Sequence, residues 1–396
     1  AWKAPIVLSN ATKNFAASDM HASDKGSVII AMQLSGKFFE PRHLYAQKLD
    51  ANGALLWGAA HVAVFDGGSL QMGNYPKFVV DGAGGAVFGW YSTSPAFECS
   101  VQRLLKSGAE QFPHNGVSAS TDASKGRVNP DVSFDPVTQE TFLVYREQRG
   151  STSGVSAQKF GQRGKRQWTA TGVIIAALGT SDIGDLNCLA TNSGVMGFWT
   201  AAPSFGTDQV FGAQLDGAGK IVGPFAVSSS PAVKYRVNSA LSSFGFAILA
   251  WRDEGSGNPD ILAQNILPHG KLGGLASAAI RNGTKVNPTC FTSLTLPAIG
   301  TTWRSRVAHP PTALTTATFI SIQPTTGPIV PGFGEILAAL PAMTLGLQTS
   351  KGVADTHSLR IPAKIEFVGP TLATQALVVS PSGFQLCNAI DITIGL

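Results

Sequence analysis

The chain has 396 residues, 44% of them hydrophobic and only 13% charged, where about 25% charged is usual; this excludes a disordered chain and a coiled coil. Its formal charge of +5 is too small for the basic stripe of a nucleic-acid-binding domain. No run of 18 apolar residues exists to span a membrane as a helix, since Ile336 to Leu347 is broken by Pro341.

The first element predicted is a strand from Trp2 to Ser9, with Trp2, Ile6 and Leu8 as its apolar positions. The opening Ala1-Trp2 without an initiator Met reads as the start of a mature, secreted protein. A repeat follows. Glutamines stand at Gln47, Gln102, Gln158, Gln214 and Gln264, in steps of 55, 56, 56 and 50 residues. A bulky residue precedes each one at the end of an apolar run: Met32, Trp90, Tyr145, Trp199 and Trp251. Turn glycines follow at Gly53, Gly108, Gly164, Gly219 and Gly270.

Each unit divides into about four strand-sized pieces, so the sequence predicts an all-β fold: a five-bladed β-propeller over 19–275. The rings at Trp90, Tyr145, Trp199 and Trp251 are expected to pack between blades, and the glutamines to tie backbone groups within or between them. Trp2 shares the phase of Trp57, Phe112 and Trp168, which close their units, whereas the fifth unit has Gly274 there. Residues 1–18 are therefore expected to complete the ring within one molecule, or alternatively to be donated to a neighbour and build a homopolymer.

The segments Trp251-Arg252-Asp253, Asp260-Ile261-Leu262-Ala263-Gln264 and Tyr45-Ala46-Gln47-Lys48-Leu49-Asp50-Ala51-Asn52-Gly53 resemble the propeller-like repeat of large secreted bacterial proteins. In that repeat a strand ending in Trp, Asp and Arg precedes an Ile-x-Ala-Gln strand and an Asp-x-Gly turn. The resemblance implies the repeat and a surface setting, and little about chemistry.

After about Leu275 the landmarks stop, and residues 276–396 are predicted to form a separate β-sandwich. Its strands are expected at Thr301 to Val307, Ala317 to Ile322, Ile361 to Phe367, Gln375 to Val379, Phe384 to Cys387 and Ala389 to Ile394. The segments Leu296 to Trp303 and Leu386 to Gly395 resemble the opening and closing strands of a C-terminal domain of secreted proteins from environmental bacteria, which implies extracellular placement. The four cysteines lack CxxC spacing; Cys290 and Cys387 bracket this region as a candidate disulfide pair, other pairings being open.

Chemistry is sparse in the sequence. The first strand of each unit is expected at Met20 to Ser23, Pro76 to Val80, Asp131 to Asp135, Asn187 to Thr191 and Asn238 to Ser242, and only the third carries acids, Asp131 and Asp135. The seven histidines lack metal-binding spacing. Asp50-x-Asn52-Gly53 offers oxygen ligands for calcium, without the full loop, and no other cofactor is implied. Asp81-Gly82-Ala83-Gly84-Gly85 and Asp216-Gly217-Ala218-Gly219 read as hairpin turns rather than phosphate loops. Lys159, Arg163, Lys165 and Arg166 form the densest cationic cluster, either a solvated edge or a contact for an anionic cell-surface glycan. The reading at this level is a non-catalytic extracellular structural or adhesive subunit of a surface, matrix or filament. The alternative is a carbohydrate-active enzyme with acids in the propeller channel.

Overall fold

Short apolar runs separated by glycine turns fold here as antiparallel strands. A computed structural model describes residues 4–10, 12–37, 39–230, 232–255, 257–267 and 272–396. The described residues are all-β, with several antiparallel sheets and no α-helix. They fall into two compact units, Ala1–Gly270 and Lys271–Leu396.

In the first unit the sheets follow chain order. The first consists of Asn14–Ala22, Val28–Ser35, Arg42–Leu49 and Val62–Phe65. In the second, Ala86–Ser94 pairs with Glu98–Leu104 on one side and with both Ser69–Leu70 and Phe78–Val80 on the other; Val117–Ser118 is the outermost strand. The third sheet is Gly126–Asp135, Glu140–Arg149, Thr152–Phe160 and Val173–Gly179. The fourth is Asp182–Thr191, Gly194–Ala202, Gln209–Asp216 and Ile221–Ser228, and the fifth has three strands, Lys234–Leu241, Ala247–Asp253 and Asp260–Ile266. Trp2 lies outside the described residues. Ile6 and Leu8 are described, and the expected strand is not formed around them: 4–10 is irregular and the first strand begins at Asn14. Pro5 and the turn former Asn10 interrupt the run; the Asn10 carboxamide accepts the backbone N–H groups of Thr12 and Lys13.

The apolar cores of this unit lie between successive sheets. Trp90 is buried with Ile29, Leu44 and Trp57 of the preceding unit, Tyr145 with Val87 and Val101, Trp199 with Phe142 and Val155, and Trp251 with Met196 and Val210. A second contact repeats farther out. The Trp57 indole N–H donates to Lys106 O at 3.0 Å, and the Trp168 indole to Gly217 O at 3.3 Å, so each ring rests on the turn of the next sheet. Gly108 is required there: its φ of +84° suits glycine, and a Cβ would lie 2.8 Å from the Trp57 ring.

The repeated glutamines hold the loop that carries these outer rings. Gln102 Oε1 accepts the N–H of Phe112 at 3.0 Å, and its Nε2 donates to Pro113 O at 2.9 Å. Gln47 does the same with Trp57 and Gly58, at 3.0 and 2.6 Å, and Gln158 Nε2 reaches Thr169 O at 2.8 Å. Gln214 donates to Ser193 Oγ and Gln264 to its neighbour Asn265. In the first three sheets the glutamine thus ties its own loop.

In the second unit, Ser277–Arg281, Gly383–Thr393, Thr371–Ser380, Thr315–Ser321 and Met343–Thr349 form a five-stranded sheet in that order. Phe291–Ser293, Thr302–Ala308 and Ala354–Arg360 form a three-stranded one. Thr302–Ala308 buries Trp303, Ser305 and Val307 and exposes Arg304 and Arg306. No strand forms over 361–367; Pro362 removes a ladder donor there, and Ile365–Phe367 makes a short 3-10 turn. Cys290 and Cys387 are joined by a disulfide with their Cα atoms 5.5 Å apart.

Gln102→Ala leaves the Phe112 N–H and Pro113 O without their partner and is expected to cost about 1–3 kcal/mol, measured by urea unfolding. Gln264→Ala, whose amide among the described residues donates to its neighbour Asn265, should cost less than about 0.5 kcal/mol.

Candidate functional site

The first strand of each sheet departs from regular pairing where it passes the landmark ring. In the third sheet Val128 pairs with Arg146 and Asp131 with Val144, so the first strand carries one extra residue opposite Tyr145. The fourth repeats this opposite Trp199, between Gly184 and Asn187, and the fifth opposite Trp251, between Tyr235 and Asn238. The first sheet has a bulge between Ala17 and Asp19. Each of the three later bulges holds a non-glycine residue in the left-handed region: Asn129 at φ 50°, Asp185 at φ 44° and Arg236 at φ 58°. Bulges turn side chains out of the ladder and are common beside active sites, as is such backbone strain.

The second sheet goes further. Leu70 pairs with Ser92 and Phe78 with Phe88, so Gln71 to Lys77 leave the sheet as an excursion at the same place. It is pinned from both sides: Ser18 Oγ donates to Pro76 O at 2.6 Å, Gln33 Nε2 to Asn74 O at 3.0 Å, and the Tyr91 hydroxyl to Gln71 Oε1.

The excursion and the next two bulges enclose a polar cleft of about 250 Å³, lined by Asn74, Tyr75, Lys77, Asn129, Asp131 and Asp185, with Trp90 at its wall. Asp131 Oδ2 accepts the Cys188 N–H of the next sheet at 2.7 Å. Burial nevertheless dominates and pushes its pKa up to about 6, against the lowering effects of that bond and of the Lys77 charge. Burial also raises Asp185, opposed by the N–H groups of Arg236 and Val237 and by Lys77. Asp19 of the first sheet adds negative charge felt at Asp131; its carboxylate meets His21 Nε2 at 3.0 Å. Acids therefore come from the first strands of three sheets, which corrects the expectation that only the third carries any. The first strands begin at Asn14, Asp182 and Lys234, earlier than expected, because the bulge breaks the alternation by which a strand is read.

The other candidate residues separate. Lys159 is buried, its ammonium on Glu140 Oε1 at 3.0 Å and Gly217 O at 2.7 Å. Arg166 donates to Ser118 O at 2.9 Å; only Arg163 and Lys165 are exposed. The four do not form one cationic face. Asp50 Oδ1 accepts the N–H groups of Asn52 and Ala54, both at 2.8 Å, so that carboxylate caps its own turn. Asp81 and Asp216 cap theirs in the same way. Among the described residues no group of three His, Cys, Asp or Glu side chains is placed to hold a metal.

Neither a protein-family model nor a curated protein matches the sequence. Solved structures do. A polysaccharide lyase is 8% identical over 99% of this chain and 94% of its own, with a TM-score of 0.42. An endo-arabinase from Bacteroides thetaiotaomicron is 9% identical over 59% of this chain and 88% of its own, at 0.34. A glycosyl hydrolase from Bacteroides ovatus is 11% identical over 64% and 84%, at 0.33. These findings overturn the expectation of a non-catalytic structural, adhesive or filament subunit: the similar proteins named here are carbohydrate enzymes. At such low identity the comparison names no substrate for this chain.

A carboxyl group whose folded pKa is raised favours the folded state while it is protonated, and that contribution is lost as pH rises from about 4 through about 6. Asp131→Asn cannot ionise. The variant should lose this slope, and its unfolding temperature relative to the parent should be higher at pH 7.5 than at pH 4.5, as read by differential scanning calorimetry.

Proposed function

We propose that this chain is a carbohydrate-active enzyme that cleaves glycosidic bonds in the cleft between the second, third and fourth sheets. The observation that supports this most is the convergence there of Asp131, which keeps its proton up to about pH 6, with Asp185 from the neighbouring bulge. Glycosidases use two carboxyl groups in different states, one donating a proton to the leaving oxygen and the other acting as base or nucleophile. Asp131 is the proton donor in this reading and Asp185 the second carboxylate. Tyr75, 50% exposed in the cleft wall, supplies a ring on which a sugar face stacks.

Eliminative cleavage is the second reading, favoured by Lys77. Its ammonium lines the cleft and lowers the pKa of both acids, a position that suits the carboxylate of a uronic acid.

The five sheets are read as blades of a five-bladed propeller, which the four inter-sheet cores support. The second unit is read as a β-sandwich of its five- and three-stranded sheets. The Cys290–Cys387 disulfide supports secretion into an oxidising compartment, and glycan is the partner this reading implies.

The test is a panel of neutral and uronate-containing polysaccharides assayed for new reducing ends and for the ultraviolet absorbance of unsaturated uronates. Activity on one member should fall as pH rises above about 6 and drop at least about a hundredfold in Asp131→Asn. New reducing ends without the absorbance select hydrolysis; both together select elimination. Full activity in Asp131→Asn removes the assignment.

A further inference from the structure

We infer that the second unit carries a binding site for an aliphatic acyl chain, set between its five-stranded sheet and the hairpin that crosses one face of it. Thr316 and Thr318 of this sheet point to the three-stranded sheet, where both approach His357. Phe319 lies on the other face. Register places Gln375, Leu377, Leu386 and Phe384 on that face too, since Phe319 pairs with Gln375, Leu377 with Leu386, and Val379 with Phe384. This face is roofed by residues 322–342, which contain the hairpin Ile329–Val330 and Gly334–Glu335.

The roof is fastened by polar bonds. Leu386 N–H donates to Phe333 O at 2.7 Å, and Asn287 Nδ2 to Glu335 O at 2.8 Å. Between roof and sheet remains a hollow of about 420 Å³, within the size range of small-molecule sites. It is built before any ligand arrives, so little ordering is needed on binding.

Its chemistry narrows the occupant. Gln375 is its one polar side chain, and all four of its hydrogen bonds are taken. Oε1 accepts Leu337 N–H at 2.8 Å and Ala338 N–H at 3.3 Å, while Nε2 donates to Glu335 O at 2.8 Å and Cys387 O at 2.9 Å. No charged side chain lines the hollow. A sugar hydroxyl entering it would lose water and gain no partner, so this is not a glycan subsite. Phe333 and Phe384 stack on each other, with centroids 5.5 Å apart and planes 11° off parallel. They form a common rim rather than a clamp for a flat ligand. Of the remaining walls one is aromatic, Phe319, and the others, among them Val330, Ile336, Ala338, Leu377 and Leu386, are aliphatic. Leu340 at the mouth is 74% exposed, which extends the apolar surface outward as a flexible chain with a polar head in water would use it.

The test uses the full chain and the fluorescent probe 11-(dansylamino)undecanoate. Saturable fluorescence enhancement is expected, displaced by dodecanoate, with affinity at least tenfold weaker in Ala338→Leu, which fills the hollow, and in Ala342→Trp, which narrows its lining. Unfolding temperatures of both variants should be unchanged or raised, separating a filled site from a damaged fold. Absence of saturable binding, equal affinity in both variants, or displacement by naphthalene sulfonate or an oligosaccharide but not by dodecanoate would overturn the inference.

Discussion

One large ring buried against the preceding sheet is the constraint on which the first unit depends. Trp90, Tyr145, Trp199 and Trp251 each close an apolar layer between two sheets. Opposite each of them the first strand carries extra residues, one in the third to fifth sheets and a whole excursion in the second. A large side chain and an irregular partner strand thus occur together. The ring supplies burial, and the irregularity frees polar backbone and side chains from the ladder. The cleft is the place where three such irregularities meet.

The carboxylates in that cleft act in two ways at once. Asp131 accepts a backbone N–H from the fourth sheet and Asp185 from the fifth, so each holds its neighbour in place. Burial also keeps both from ionising at the usual carboxylate pKa. A group fixed by backbone donors is pre-oriented, and Asp131, its pKa pushed up to about 6, keeps its proton closer to neutrality than an ordinary carboxyl group. The bonds that join the sheets thus fix these carboxyl groups in place, while burial, acting against those bonds, raises their pKa.

Much of the framework was legible in the residues. The spacing of glutamine, ring and turn glycine marked five successive units, and the glutamine's role follows from the need of a buried amide for partners. The acids were harder to see. Strand assignment relies on alternation, and a bulge interrupts alternation at the residue of interest; Asp185 therefore fell outside the expected strand, and Asp19 lay one residue ahead of its own. The residue types held a signal, since Asn and Asp tolerate the left-handed conformation best and Asn129 and Asp185 stand 16 and 14 residues ahead of Tyr145 and Trp199. The cationic cluster misled for a different reason: a lysine or arginine in sequence gives no hint that its charge will be spent on a carbonyl of the adjoining sheet, as happens at Lys159 and Arg166.

Arrangement of the apolar layers in series, rather than as one central mass, has a mechanical corollary. Each layer draws on two neighbouring sheets, so damage at one junction stays local and cooperativity between distant sectors is weak, much as in stacked repeat arrays. The fifth sheet, with three strands among the described residues and with Ile261 and Leu262 of the last of these exposed, is where fraying would start, leaving the polar cleft between the second and fourth sheets intact after the periphery has loosened.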